Sequence, residues 1–182
     1  ARLLIGLAFL FAVLWKGFLS PEYRDGRFFA VTFLTDDRFA DAVMLLGGLS
    51  ESDLESNRTF LEPLPEGAAW FDRSLIETRA FRILVALATW STLAIEAAVA
   101  ILFLLPVSPS LQVVRHVVLI GFCAVTYAFA PVAGFGWLLL VMGLAVCRTD
   151  QRWLRTAYVA TYFLILLYSE VPWAGLILDW TG

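Results

Sequence analysis

Reactive and charged side chains are scarce in this sequence, which has one histidine, two cysteines and only 16% charged residues. Lys and Arg together number 13 against 16 Asp and Glu, a net charge of −3, and no basic cluster forms, so there is no reason to expect a nucleic-acid partner. No HExxH, GxSxG, P-loop or GxGxxG spacing occurs, and hydrolase or nucleotide-dependent chemistry has no support. Cys123 and Cys147 lack CxxC spacing and a neighbouring His; both lie in apolar sequence, where a free thiol behaves as a small hydrophobe. No metal site is expected. The alternating segments of ~10 residues that mark barrel strands are also missing.

What the chain does have is apolar length. Hydrophobic residues make up 60% and the mean hydropathy is +0.80, against an apolar share of roughly 45–50% in a soluble domain. These values predict an all-α, polytopic transmembrane bundle of about five spans, forming one membrane domain over 1–182 with an extracytoplasmic insert at 20–79.

The organising stretch is Arg82 to Leu105, long enough to span yet carrying Glu96 well inside the apolar run. The first span covers about Arg2 to Trp15, with Lys16 at its exit and a few residues of Gly17-Phe18-Leu19 added to reach across. It has no small-residue cleavage site after it and reads as a retained span rather than a signal peptide. Ser20-Pro21 ends it. Leu111 to Cys147 is too long for one crossing and is broken over Ala130 to Gly136, giving two antiparallel spans. Arg148 to Arg155 is a hydrophilic connection, and the last span runs from about Ala157 to Val171, closed by Pro172-Trp173, with Trp180 as a further interfacial anchor.

The insert carries most of the acidic residues and must lie in water. Phe39, Ala42, Val43 and Leu46 have helical spacing after Thr35 as N-cap, with Asp36 and Asp37 in the first turn and a stop at Gly47-Gly48. Ser50-x-x-Asp53 has capping-box spacing and opens a short turn. Pro63-Leu64-Pro65 is a breaker, and Trp70, Phe71, Leu75 and Thr78 give a further helical pattern leading into the second span. Asn57-Arg58-Thr59 matches a glycosylation acceptor.

Orientation follows from the short loops. Five spans put Arg2, Arg115, Arg148, Arg152 and Arg155 on one face, opposite the acidic insert, so the N-terminus is expected in the cytoplasm and the insert and C-terminus in the periplasm of a cell inner membrane.

Few residues could carry chemistry. Glu96 shares a helical face with Thr89 and Thr92, and an ionisable group at that depth costs ~2.5–3.5 kcal/mol on insertion scales. It reads either as a proton or ligand site or as a hydrogen-bonded group joining helices. Lys16, Thr89, Tyr127 and Glu170 fall at comparable depth in the outer half. Lys16 and Glu170 could pair, or Lys16 could snorkel to the headgroups while Glu170 marks a helix end. His116, beside Arg115, could ligate a haem or chlorophyll axially or titrate, and a single His at a headgroup boundary is more simply interfacial. Lys16, Glu96 and Glu170 are the catalytic candidates; His116 and Tyr127 are the candidates to contact a cofactor such as a quinone, a lipid or a pigment.

The opening Arg2 to Gly17, with its internal Gly6 and Lys16 at the helix exit, followed by Ser20-Pro21-Glu22-Tyr23-Arg24-Asp25-Gly26, resembles the first helix of the DoxX-like membrane proteins. Glu96, followed by an apolar run closing at Pro106, resembles their second-helix glutamate. The same outline is similar to the membrane region of vitamin K-dependent γ-carboxylase-like proteins, which implies a functional lysine at the position of Lys16. The DoxX-like resemblance implies a compact bundle tied to quinone- or thiol-linked redox systems, often as a subunit. The long acidic insert, the fifth span and the lack of a redox cysteine pair depart from that pattern. The expected function is an accessory or structural subunit of a membrane redox, electron-transfer or photosynthetic assembly, with membrane lipid and other membrane subunits as partners. The alternatives are a quinone- or thiol-linked oxidoreductase component using Lys16, Glu96 and Glu170, and a small transporter.

Overall fold

The computed structural model describes residues 1–62, 75–106, 108–129 and 133–170. Among these the chain is all-helical, with nine α-helices and no strand. It divides into two compact units, one of Ala1–Leu14 with Ala94–Gly182 and one of Trp15–Leu93.

The first unit holds α1 (Arg2–Leu14), the C-terminal part of α6 (Arg79–Leu104), α7 (Pro109–Phe129), α8 (Ala133–Val146) and α9 (Arg152–Glu170). Helices α7, α8 and α9 pack on one another, and α1 packs on α8. Helix α1 contributes one stripe, Ile5 and Phe9 four residues apart, to a core with Val99, Phe103, Leu119, Leu139 and Leu154. Phe9 meets Phe122 edge-on, with ring centres 4.9 Å apart.

The second unit begins with a π-helical turn, Trp15–Leu19, that continues α1. Ser20 N–H bonds Trp15 O at 2.9 Å, and Pro21, which has no N–H to extend the ladder, opens α2 (Pro21–Arg24). Gly17, Phe18 and Leu19, expected to lengthen the first span, continue the helix and give an 18-residue helical run, Arg2–Leu19. Helices α3 (Arg27–Thr35), α4 (Ala40–Gly47) and α5 (Glu51–Leu61) follow, and their inward faces meet the start of α6 in a core of Phe33, Leu34, Phe39, Val43, Leu54, Phe81 and Val85.

Several boundaries differ from those expected. Phe28 to Leu34 form a full helix, α3, preceded by Gly26 at φ 84°. Asp36, not Thr35, caps the next turn, accepting from Arg38 N–H. The Ser50 capping box forms as expected, but opens an 11-residue helix rather than a short turn. Leu75 to Thr78 are not helical: Asn57 holds Ile76 from both sides, accepting from its N–H at 2.8 Å and donating to its carbonyl at 3.0 Å. Thr78 is therefore the cap of α6, accepting from Phe81 N–H while its own hydroxyl donates to Gly47 O. These two hydrogen bonds between Asn57 and Ile76 also occupy the Asn57 side chain, which is buried, so the glycosylation-like triplet is an internal clamp. Gly134 and Gly136, expected in the break after α7, lie inside α8, and Arg152 and Arg155 already belong to α9. The expected features at Pro63 to Phe71, Pro172-Trp173 and Trp180 lie outside the described residues.

Candidate functional site

His116 lies at the centre of a buried polar cluster in the first unit. Its ring is only 2% exposed. Nδ1 shares a hydrogen bond of 2.9 Å with the Tyr158 hydroxyl, and Cys147 Sγ lies 3.6 Å from Nδ1 and 3.9 Å from Nε2. The rings of Phe103 and Tyr158 both stand edge-on to the imidazole. Three helices meet at this point, because His116 comes from α7, Tyr158 from α9, and Cys147 directly follows α8. Tyr158 fits because residue 143 is glycine: a Cβ there would come within 2.7 Å of the phenol oxygen.

His116, expected at a headgroup boundary, is thus enclosed by protein. Neighbouring Arg115 turns to α6, donating from Nε to Leu102 O at 2.7 Å and lying 5.4 Å from the Phe103 ring centre, while His116 turns inward to Tyr158. Axial ligation of a haem or pigment by His116 would require this enclosed cluster to open. As it stands, the arrangement satisfies polar groups between helices. Cys147 is more than a small hydrophobe, since its sulfur faces the imidazole, whereas Cys123 is plain core. Beside the cluster, Tyr158, Tyr162 and Phe163 of α9 and Leu140, Val141 and Leu144 of α8 line an apolar groove of about 250 Å³.

Helix α6 buries a continuous stripe of Phe81, Val85, Thr89, Leu93, Glu96, Val99 and Phe103. Of the face expected to point into the bundle, Glu96 is 5% exposed within the first unit, Thr89 is buried within the second, and Thr92 sits half-buried at its edge. The hydroxyls of Thr89 and Thr92 are spent on their own helix, donating to Val85 O and Ala88 O at 2.9 and 2.8 Å.

Lys16 lies in the π-helical turn, where its Nζ stands 5.1 Å from the centre of the buried Tyr23 ring. Sequence reading offered Glu170 or the headgroups for Lys16 and missed this aromatic neighbour seven positions on, which the turn at Ser20-Pro21 brings back. Tyr127 lies in α7 and Glu170 ends α9, and the side chains of both fall outside the described residues. Among the described residues, no group of three or more His, Cys, Asp and Glu side chains could hold a metal ion. Comparison with protein-family models, with curated proteins and with solved structures finds no match to this chain.

Proposed function

We propose that the chain is a DoxX-like, multi-pass inner-membrane protein that serves as an accessory or structural subunit of a larger membrane redox, electron-transfer or photosynthetic assembly. In this reading α1 with its π turn, α6, α7, α8 and α9 are the five spans, and the insert 20–79 faces the periplasm. Two helical runs, Arg2–Leu19 and Arg79–Leu104, are long and apolar enough to cross a membrane. Helices α7 and α9, with 21 and 19 residues, reach about 30 Å at ~1.5 Å per residue, the thickness of a hydrocarbon core.

The observation that carries the subunit reading is the distribution of apolar and polar groups. Large apolar side chains are exposed on α1 (Leu3, Leu4, Phe11), α6 (Leu87, Trp90, Ile101) and α9 (Phe163, Leu164, Leu167), a surface suited to lipid and to neighbouring subunits. The polar side chains around His116, in contrast, are engaged with one another inside the fold. The test is extraction from native membranes: the protein should resist alkaline carbonate and migrate in mild detergent with an assembly much larger than its own 20.3 kDa. Glu96→Gln and Lys16→Met should leave that assembly's activity intact. A lone, stable monomer would contradict the subunit reading, and loss of turnover in an intact assembly would favour the oxidoreductase alternative.

A further inference from the structure

The second unit contains a cleft of about 280 Å³ whose lining includes Thr89 but none of the catalytic or cofactor candidates weighed above. Its mouth gathers Arg24 from the end of α2, Arg27 from the start of α3, and Arg82 from the first turn of α6, together with Asp25 and Glu77. Asp25 is already committed to Arg27, accepting from its backbone N–H at 3.0 Å and its Nε at 2.7 Å. Neither Arg24 nor Arg82 has an ion-pair partner within 4 Å among the described residues. With Asp25 and Arg27 set against each other, two guanidinium groups face one carboxylate, so the mouth keeps a net positive charge.

Further along α6 the lining becomes mainly apolar, with Thr89 the polar side chain among Val85, Ala86 and Trp90. Val85 and Ala86 on α6 lead to Trp90, which is 59% exposed and lies eight residues beyond Arg82, about 12 Å further along the helix. Gly26 keeps the wall thin at this level: it adopts φ 84°, and a Cβ there would come within 2.7 Å of Val85 Cγ1. A positive mouth above an apolar, Trp-lined wall matches a molecule with one anionic head and one greasy tail, and planar guanidinium groups suit a phosphate in particular.

We propose that this cleft binds a phosphate-type anion, held by Arg24 and Arg82, with the chain of an anionic lipid lying along Trp90. The assignment rests on side chains of the second unit alone and stands or falls separately from the subunit reading. The test uses the full-length protein purified in a neutral detergent and titrated in three arms, with phosphatidylglycerol, phosphatidylcholine and inorganic phosphate, followed by native mass spectrometry and thermal stability. Phosphatidylglycerol should bind and raise the melting temperature, and phosphatidylcholine should not. The double variant Arg24→Gln/Arg82→Gln should weaken that binding by roughly tenfold or more, and Arg79→Gln, a neighbouring charge outside the cleft lining, should leave it unchanged. All these arginines are exposed, and an unchanged helical circular dichroism spectrum verifies each variant's fold. A matching response to inorganic phosphate, lost in the same double variant, would assign the anion site to free phosphate and overturn the role of the lipid chain. Equal binding of both lipids, or binding unaffected by the double variant, would overturn the site altogether.

Discussion

The Tyr158 hydroxyl and His116 Nδ1 lie 2.9 Å apart inside the first unit and join two helices that contribute residues 42 positions apart. Both side chains are almost fully buried, so neither can exchange this partner for water. Replacing Tyr158 by Phe keeps the ring and removes the bond. The variant should lose about 0.5–2 kcal/mol of stability in detergent, measured by denaturation monitored on helical circular dichroism. The double variant Tyr158→Phe/His116→Leu should cost less than the sum of the two single changes, because the pair acts as one unit.

Gly143 makes the room that Tyr158 occupies. An added Cβ would lie 2.5 Å from ring carbon Cε1 and 2.7 Å from the hydroxyl oxygen, and neither atom belongs to a flexible chain end. Gly143→Ala should therefore destabilise by about 1–3 kcal/mol, while Gly121→Ala, which meets nothing within 4 Å, should be neutral or slightly stabilising. Thermal melting of the two variants side by side checks the contrast.

Much of this architecture was legible in the sequence, and the reason is periodicity. The stripe that buries Thr89 and Glu96 is written in the helical spacing of α6, and the capping box at Ser50 and Asp53 is local enough to be read from four residues. Helix α3 was missed because its entry does not carry the usual signal: Gly26 in a left-handed conformation occupies the cap position, and Asp25 one residue earlier supplies the acceptor for Arg27 N–H. The His116 cluster was illegible for a different reason. Its partners lie 31 and 42 positions away, and the local sequence, an Arg-His pair near a helix start, suggests a headgroup boundary instead.

Two glycines with positive φ separate backbone strain from crowding. Gly48 has φ 64° and open space around its Cα, so Gly48→Ala should cost only the left-handed conformation, about 1–2 kcal/mol. At Gly26, with φ 84°, an added Cβ would also lie 2.7 Å from Val85 Cγ1, which adds about 1–3 kcal/mol of overlap. Gly26→Ala should be the more damaging of the two by thermal melting, and Val85→Ala should recover part of the difference.

The capping box predicts a pH dependence for α5. Hydrogen bonds from the Ser50 side chain, and then from its backbone N–H, hold the Asp53 carboxyl below the ordinary aspartate range. A carboxyl lowered in the folded state stabilises fully above its unfolded value, ~3.9, and that contribution is lost as pH falls through the lowered value. Carbon NMR titration should place the Asp53 midpoint below that of a free aspartate, and Ser50→Ala should move it back up. An Asp53 midpoint unchanged by Ser50→Ala would contradict the capping assignment.

The membrane arrangement is tested most directly by the sidedness of two exposed positions, Glu55 in α5 and Asp150 in the turn before α9. Both native cysteines are buried, so each single cysteine introduced at these sites can be read with a membrane-impermeant maleimide once Cys123 and Cys147 are shown not to react. In cells with the outer membrane opened and the inner membrane intact, Glu55→Cys should label at once and Asp150→Cys only after the inner membrane is lysed. Labelling of Asp150→Cys from outside, or of Glu55→Cys only after lysis, would contradict the five-span arrangement on which the proposed role is built.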